Sequence, residues 1–275
     1  MDPRFVTKLP TFFRLKMTEE ILSALKNYKS INISGLPGVG TSVYLRFLEI
    51  NSTELLKELG SIKFTSIDLT EPDCFEVLTQ LDDHNIDRVI GVIHNFDRMP
   101  DQTNLAQKMI SIRDQKPKIQ FILDTHRPLI EMQFDRSVAT DLGSVNLYTK
   151  PATLEELAHK MRAYKELGIT LDIDLETIHK LTGGHGGLLK DLIYVNTKIW
   201  PESYKRDNHV NPVILTRCLS ILDILNKEEL ATLIKFANGE NTAVEGYLST
   251  SGIVNEKNEI FSSLLKDSIL EMWGE

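Results

Sequence analysis

The chain has 275 residues, of which 41% are hydrophobic and 25% charged, and its formal net charge at pH 7 is −8. This is the composition of an ordinary globular protein, long enough for one large domain or for two to three small ones. No run of the sequence approaches the roughly 18–20 uninterrupted apolar residues of a membrane helix, and the acidic balance argues against bulk binding to nucleic-acid backbones. The first residues carry scattered charges and lack the apolar core of a secretion signal, so we expect a soluble, cytoplasmic protein without a membrane partner.

Short apolar runs and helical patterns alternate in the first half of the chain. The runs that suit buried strands are 31–34, 62–67, 89–94, 119–123 and 144–148. The segments with helical periodicity between them are 43–59, roughly 73–82 and 103–114. Short buried strands that alternate with helices indicate βαβ units around a parallel sheet. Residues 1–150 are therefore predicted to form one α/β domain.

The strand pattern stops after Pro151, and helical patterns follow at 153–167, 174–182 and 187–199. Thr153 with Glu156 three residues later is a capping box, and Gly168 ends that helix. These patterns predict a helical lid subdomain over 151–205, with the polar stretch 201–212 as a linker.

The remaining segment, 206–275, is predicted to form a winged-helix domain. The expected helices end near Ile224, cover 227–238 and 242–249, and begin again at about Ser262. A hairpin is expected after Gly252. The segment from Asn211 onward has five Lys or Arg residues (217, 227, 235, 257, 266) against ten Asp or Glu residues (223, 228, 229, 240, 245, 256, 259, 267, 271, 275). A helix that reads a DNA groove needs cations and polar groups for phosphates and base edges, so we do not expect DNA as the partner.

A glycine-rich loop joins the first predicted strand to the first predicted helix. Residues 31–49 read INISGLPGVGTSVYLRFLE, which fits the phosphate-binding pattern G-x-x-x-x-G-K-S/T except at Thr41, where the pattern has lysine. The glycines of such a loop let backbone N–H groups point at an anion beside the positive end of a helix dipole. The candidate binding residues are Gly35, Gly38, Gly40, Thr41 and Ser42. The alternative is a glycine-rich turn without a ligand.

The third predicted strand carries two further departures from a phosphate-transferring site. In P-loop ATPases this strand ends in one acid that holds Mg²⁺ through water and a second that polarises the attacking water. Residues 89–99 read VIGVIHNFDRM, which places His94 and Asn95 at these positions. Both are poor ligands for a hard cation, so Mg²⁺ is not expected, although the Ser42 hydroxyl could contact it. Asp97 is an alternative acid, but it follows the apolar run by three residues, and we expect it to be an outer polar or capping residue.

These losses together predict a protein without a catalytic residue for hydrolysis, with Thr41, His94 and Asn95 as the degenerate positions. Loss of a charge-assisted contact costs roughly 1.5–3 kcal/mol. The missing lysine alone would therefore weaken triphosphate binding about 10–100-fold.

The motifs resemble those of AAA+ and STAND-like P-loop ATPases, in particular archaeal-type AAA ATPases with a C-terminal winged helix. IQFILDTHRP at 119–128 is similar to their sensor strand. LTGGHGGLLKDLI at 181–193 is similar to their GGHP-x-LLK segment, with Gly186 in place of proline. The resemblance implies a five-stranded parallel sheet of order 5-1-4-3-2 with a helical lid, and nucleotide between them. It also implies that His185 lies at the nucleotide, with a looser lid contact because of Gly186.

Three functions remain open. The first is a pseudo-ATPase of this class that acts as an interaction, scaffold or regulatory subunit, with weakly bound ATP or ADP or none, and with a protein partner or a second copy of the chain. The second is a slow, unorthodox ATPase, completed by an acid or arginine of a partner. The third is a DNA-associated adaptor that uses the winged helix.

Three further groups of residues were considered as a metal site, as an arginine finger and as reactive or paired cysteines, and a structural role is expected for each. His94 and His126 end strands that should be neighbours, with Asp124 close by, but no H-x-x-H or C-x-x-C pair supports a metal site, and satisfied polar residues at strand ends are expected. The candidates for an arginine finger, Arg127 and Arg136, are expected to be surface residues. The two cysteines, Cys74 and Cys218, are expected as buried free thiols.

Overall fold

A computed structural model describes residues 3–67, 76, 86–132, 140–196, 205–206, 209–240 and 242–274. The chain falls into two compact units that are not continuous in sequence. The unit that we call the sheet unit consists of Pro10–Gly35 and Thr41–Tyr148. The other, which we call the helical unit, consists of Met1–Leu9, Leu36–Gly40 and Thr149–Glu275. The glycine loop between Leu36 and Gly40 thus belongs to the helical unit.

The five strands of the main sheet lie where the apolar runs predicted them. They are β1 (Ile31–Gly35), β2 (Ile62–Ile67), β3 (Arg88–Ile93), β4 (Ile119–Thr125) and β5 (Val145–Thr149). Their order is β2-β3-β4-β1-β5, which is the predicted 5-1-4-3-2 order read from the other edge. The sheet is parallel, with Ile33 of β1 opposite Asp124 of β4 and Ile67 of β2 opposite Ile93 of β3. The predicted α/β class with a parallel five-stranded sheet is confirmed, and the winged-helix domain stays a prediction.

The described helices are, in chain order, α1 (Pro3–Val6), α2 (Leu15–Lys26), α3 (Thr41–Ile50), α4 (Ser52–Leu55), α5 (Gln102–Gln115), α6 (Leu154–Glu166), α7 (Leu175–Thr182), α8 (Gly186–Tyr194), α9 (Pro212–Leu222), α10 (Lys227–Ala237), α11 (Tyr247–Thr250) and α12 (Ser263–Trp273). None of these helices is long and apolar enough to cross a membrane.

The central strands of the sheet are buried on both faces, and the polar residues among them, such as Asn32 and Gln120, are hydrogen-bonded. Every residue of β1, β3 and β4 is buried, as expected for parallel strands covered by helices on both sides. Part of the core of this unit lies between β3, β4 and α5, and it includes Phe96, Met109 and Phe121.

The helix predicted over 43–59 is broken. It divides into α3, α4 and a 3-10 turn at Lys57–Leu59, with Asn51 at the break. The side-chain amide of Asn51 donates to the Phe47 carbonyl at 2.8 Å, and an asparagine that bonds the backbone in this way competes with the helix ladder. The helix predicted at 73–82 lies outside the described residues apart from Glu76, and α2 was not predicted.

The helical unit packs its elements around one apolar core. Buried side chains of the lid region and of the C-terminal segment belong to the same cluster, including Leu157, Leu188, Ile214, Leu233 and Leu264. The predicted capping box at the start of α6 is present, with both the Thr153 and the Glu156 side chains bonded to backbone N–H groups. The boundary between a lid at 151–205 and a winged-helix domain at 206–275 stays a prediction.

The bounds predicted for a recognition helix, 242–249, are wrong. Only Tyr247–Thr250 is helical, because residues 242–245 have no regular secondary structure and Gly246 turns the chain with φ 64°. The predicted hairpin is reduced to one bridge between Val254 and Ile260. The segment predicted as a linker contains two short antiparallel strands, β6 (Lys205–Arg206) and β7 (His209–Val210).

Candidate nucleotide-binding loop and strand ends

The glycine loop after β1 has the backbone conformation that its glycines predict. Gly38 and Gly40 have φ 82° and 116°, a region that other residues adopt only with strain. Leu36 and Val39 anchor the loop in the core of the helical unit, and the Val39 N–H donates to the Leu36 carbonyl at 2.9 Å. Gly38 lies on the surface between these anchors. The loop is therefore a curled backbone segment with its apex exposed.

The lid segment approaches this loop through glycines. The Gly187 N–H, in the first turn of α8, donates to the Gly38 carbonyl at 2.7 Å. A Cβ built on Gly186 would lie 3.2 Å from the Val39 carbonyl oxygen. Gly186 therefore permits a close contact of lid and loop backbones, and the looser contact with a nucleotide that the resemblance implied stays a prediction.

His185 is fully buried at the start of α8. Its Nδ1 accepts the Leu188 N–H at 3.2 Å, so the neutral ring carries its proton on Nε2. Nε2 is buried and makes no hydrogen bond of ordinary geometry with the described residues, although the Pro37 carbonyl lies near enough to the ring to affect it. The pKa of His185 is lowered to about 3, mainly by burial and also by the positive charges of Arg217 and Lys160, while a hydrogen bond to the Pro37 carbonyl acts in the opposite direction. The ring is therefore a neutral donor in an electropositive environment.

Arg217 of α9 reaches the loop, which sequence reasoning missed. Its Nε donates to Oδ2 of Asp191 at 2.8 Å, and a Cβ built on Gly38 would lie 3.3 Å from its Nη1. A Cβ built on Gly187 would lie 2.9 Å from Nε. The sequence contained no local signal for this contact, because Arg217 is far along the chain from Gly38 and was counted only among the cations of the C-terminal segment.

In the sheet unit, Asp124 joins two of the predicted site residues. The Ser42 hydroxyl donates to Oδ2 of Asp124 at 3.2 Å, and Nδ1 of His94 lies 3.2 Å from the same oxygen. Asp124 is 8% exposed and is the second-last residue of β4, beside the end of β3. Thr41, which replaces the lysine, is buried at the start of α3, and Gly35 is buried in β1.

Asp97 has a structural partner. Its Oδ2 accepts both the backbone N–H of His126 and the ring Nδ1–H of His126, each at 2.8 Å. The side chain is 14% exposed and its bonds go to His126, after β4, so Asp97 is neither the outer residue nor the cap of the following turn that was expected. Asn95 is exposed and left-handed, with φ 51°.

The two histidines at the strand ends contact different carboxylates, Asp124 and Asp97, and the described part of the chain contains no group of three side chains that could hold a metal ion. Arg127 pairs with Glu131 through Nη2 at 3.0 Å. Cys218 is a buried free thiol. Arg136 and Cys74 lie outside the described residues.

No protein-family model matches the sequence, and no curated protein matches it. Among solved structures, the Orc1 protein of Aeropyrum pernix in complex with DNA has a TM-score of 0.52 at 14% identity, over 98% of this chain and 96% of that chain. Cdc6p from Pyrobaculum aerophilum has a TM-score of 0.48 at 15% identity, over 96% and 95%. The RuvB Holliday junction branch migration motor of Thermotoga maritima has a TM-score of 0.48 at 17% identity, over 84% and 79%.

The chain has the α/β fold of the AAA+ P-loop ATPases. The fold is defined by the parallel sheet with β1 between β4 and β5, and by a glycine loop directly after β1. At 14% identity the likeness shows the fold alone.

Proposed function

We propose that this chain is a non-hydrolysing protein of AAA+ fold that acts as an interaction, scaffold or regulatory subunit. The main supporting observation is that no acidic residue directly follows β3 and that the nearest carboxylate beyond it is already hydrogen-bonded. His94 and Asn95 occupy the positions of the two catalytic acids, and the next carboxylate, Asp97, is bonded twice to His126. Activation of water needs a base within hydrogen-bond reach of it, and a carboxylate that holds a neighbouring loop does not supply one.

One observation favours the second candidate, an unorthodox ATPase. Asp124 bonds the Ser42 hydroxyl from the neighbouring strand, so it could replace the missing acid of β3 as a partner of Mg²⁺. The donor set fits Mg²⁺ poorly, because it offers one carboxylate whose Oδ2 is shared with the His94 imidazole, a ligand that Mg²⁺ does not prefer. We therefore propose weak or no Mg²⁺-nucleotide binding at this point.

A phosphate-release assay on the purified 275-residue chain separates the two candidates. With millimolar ATP and Mg²⁺ we expect no release above that of buffer. Ser42→Ala and Asp124→Asn are the matched controls, because each removes one side of the contact on which the second candidate depends. Steady release in the wild-type chain that either substitution abolishes would refute the proposal in favour of the ATPase.

We propose a protein partner, or a second copy of the chain, in preference to DNA. The supporting observation is the net negative charge of the segment from Asn211 onward, which contains ten acidic and five basic residues. The printed description of the Orc1 structure states that the protein is in complex with DNA, and this makes DNA the third candidate for the present chain.

A further inference from the structure

A groove of about 1170 Å³ lies within the helical unit, away from the glycine loop. It is lined by residues just before α6, by the end of α7, and by residues between α10 and α12. We propose that this groove binds an extended segment of a partner protein in which acidic residues flank an apolar side chain. The proposal deepens the proposed function and rests on it, because it names the kind of protein that this interaction subunit would hold.

The walls of the groove are joined by close contacts at glycines. A Cβ built on Gly183, which directly follows α7, would lie 2.7 Å from the carbonyl carbon of Phe261. A Cβ built on Gly252 would lie 3.3 Å from Cδ of Pro151. These contacts fix the end of α7 and the segment before α6 against the residues that lead into α12. The groove is therefore formed without a partner, which reduces the ordering that binding requires.

The turn between Val254 and Ile260 forms a further wall. These two residues pair in an antiparallel bridge, and Oδ1 of Asn255 accepts the N–H groups of Lys257 at 2.9 Å and of Glu259 at 3.1 Å. An asparagine that bonds the backbone two residues later stabilises a turn locally. The turn is thus held by its own bonds and presents exposed charged side chains to the groove.

The apolar part of the lining consists of side chains that the core covers only in part. Phe236, Ile260 and Phe261 pack against the core of the helical unit, and each remains partly exposed where it lines the groove. An apolar side chain of a partner that covers these residues would remove their remaining apolar surface from water. The groove exceeds the roughly 300–1,000 Å³ of a typical small-molecule pocket, so an extended segment fits it better than a small ligand.

The charge of the groove is opposite in sign to that of the whole chain. The chain has 39 acidic and 31 basic residues, whereas the groove is lined by four lysines and three glutamates, namely Lys150, Lys180, Lys257 and Lys266 with Glu240, Glu256 and Glu259. Nζ of Lys150 lies 4.0 Å from Oε1 of Glu256, and within the described part of the chain no ion pair involves the other three lysines. Carboxylates of a partner would complement them.

Two of these lysines lie close to the apolar lining. Lys180 is in the last turn of α7, three residues before the Gly183 that contacts Phe261, and Lys266 is in α12, five residues after Phe261. Both lysines are exposed. An apolar side chain at Phe261 would therefore have an exposed ammonium group on each of the two helices beside it, which is why we place acidic residues on both sides of it.

The glutamates of the groove favour a peptide over a nucleic acid. Glu240 and Glu259 are exposed and make no ion pair with the described residues. A peptide can donate its backbone N–H groups to such carboxylates while its acidic side chains pair with lysines. The phosphates of a nucleic acid would be repelled by the same carboxylates, because its backbone presents only negative charge. The mixed lining thus matches a protein segment.

Selection of random peptides of about 12 residues, displayed on phage, against the 275-residue chain tests the proposal. We expect the selected peptides to have Asp or Glu on both sides of Leu, Phe or Trp. Labelled synthetic copies of these peptides are then the probes for fluorescence anisotropy. Their affinity should fall as salt is added, because the contacts with the exposed lysines are screened.

Charge reversal in the groove should weaken this binding. Lys180→Glu combined with Lys266→Glu should lower the affinity for the selected peptides about tenfold or more. The matched control is Lys165→Glu combined with Lys190→Glu, which gives the same net charge by changing exposed lysines of α6 and α8 outside the groove, and which should stay within about threefold of wild type. Urea unfolding checks that both variants fold, and glutamine replaces glutamate at the two groove positions if the reversed variant does not.

Three outcomes would overturn the inference. The first is a selection that enriches no peptide or only peptides without acidic residues, and the second is equal binding of the selected peptides by the groove variant and its matched control. The third is a labelled DNA duplex that displaces the peptide and loses its binding in the groove variant, which would assign the groove to nucleic acid. Phosphate release from ATP would refute the proposed function and leave the peptide result unchanged, so the two failures can be told apart.

Discussion

At the scale of single residues, His185 has a structural role in addition to the nucleotide contact that the family resemblance implies for it. Its Nδ1 caps α8 by accepting the Leu188 N–H, and its ring stacks on Phe261 with the centroids 5.8 Å apart. The capping contact requires the neutral ring, since protonation at Nδ1 would remove the acceptor. The residue is therefore a point at which acid should destabilise the helical unit.

Substitution of His185 should change the dependence of stability on pH. The pKa is near 6.5 in the unfolded chain and about 3 in the folded one, so below pH 6.5 the unfolded chain binds more protons and stability falls as pH falls. Between pH 7.5 and pH 5 this one group should cost about 2 kcal/mol of unfolding free energy. Urea unfolding at the two pH values should show this loss in the wild type and its absence in His185→Asn, which keeps a capping side chain.

The comparison uses the difference between the two proteins, because other groups titrate equally in both. Unfolding free energies that decrease by the same amount in wild type and His185→Asn would show that the ring is protonated in the folded chain.

At the scale of elements, the lid segment Gly183–Gly187 depends on glycine for close backbone contacts. A Cβ on Gly184 would lie 1.9 Å from the Ala152 carbonyl oxygen, and the Ala152 N–H donates to the Gly184 carbonyl at 3.1 Å. This contact joins the start of α6 to the connection between α7 and α8. The glycines of the lid are therefore packing residues as well as turn residues.

Gly184→Ala should destabilise the chain more than an alanine at another left-handed glycine. Gly184 and Gly239 have φ 78° and 87°, but a Cβ at Gly239 would have no neighbour within 4 Å. Gly239→Ala should cost about 1 kcal/mol from backbone strain alone, and Gly184→Ala about 1–3 kcal/mol more because the backbone must move. Urea unfolding of both variants measures the difference. Equal costs would mean that the contact with Ala152 is easily relieved.

At the scale of the whole molecule, charge sets the expected partners. The chain has 31 basic and 39 acidic residues, and the acidic excess is concentrated in the C-terminal segment. Affinity for DNA depends mostly on cations that displace counterions from the phosphates. The helix that was expected to enter a groove is shortened to the four residues of α11.

We therefore expect no DNA binding tighter than tens of micromolar at about 150 mM salt. Fluorescence anisotropy with labelled duplexes of several sequences measures this, and a titration at low salt shows how much of any binding is electrostatic. Sub-micromolar binding that depends on sequence would favour the DNA-associated adaptor instead.

The sequence by itself determined the elements whose causes are local. The five strands follow from short apolar runs, and the capping box at Thr153 and Glu156 follows from residues three apart. The curl of the glycine loop follows from Gly38 and Gly40, since glycine tolerates positive φ. The sheet order was implied by resemblance, and the structure agrees with it.

The tertiary structure alone decided which distant side chains meet. In the folded chain Asp97 is hydrogen-bonded to His126, Ser42 is hydrogen-bonded to Asp124, and the Arg217 side chain lies beside the glycine loop. Residue spacing along the chain reports on neighbours within one or two turns or along one strand, whereas these contacts depend on how segments pack. For the same reason the sequence identified Thr41 as a missing cation, but only the packing of α9 against the glycine turn of α8 placed another cation beside the loop.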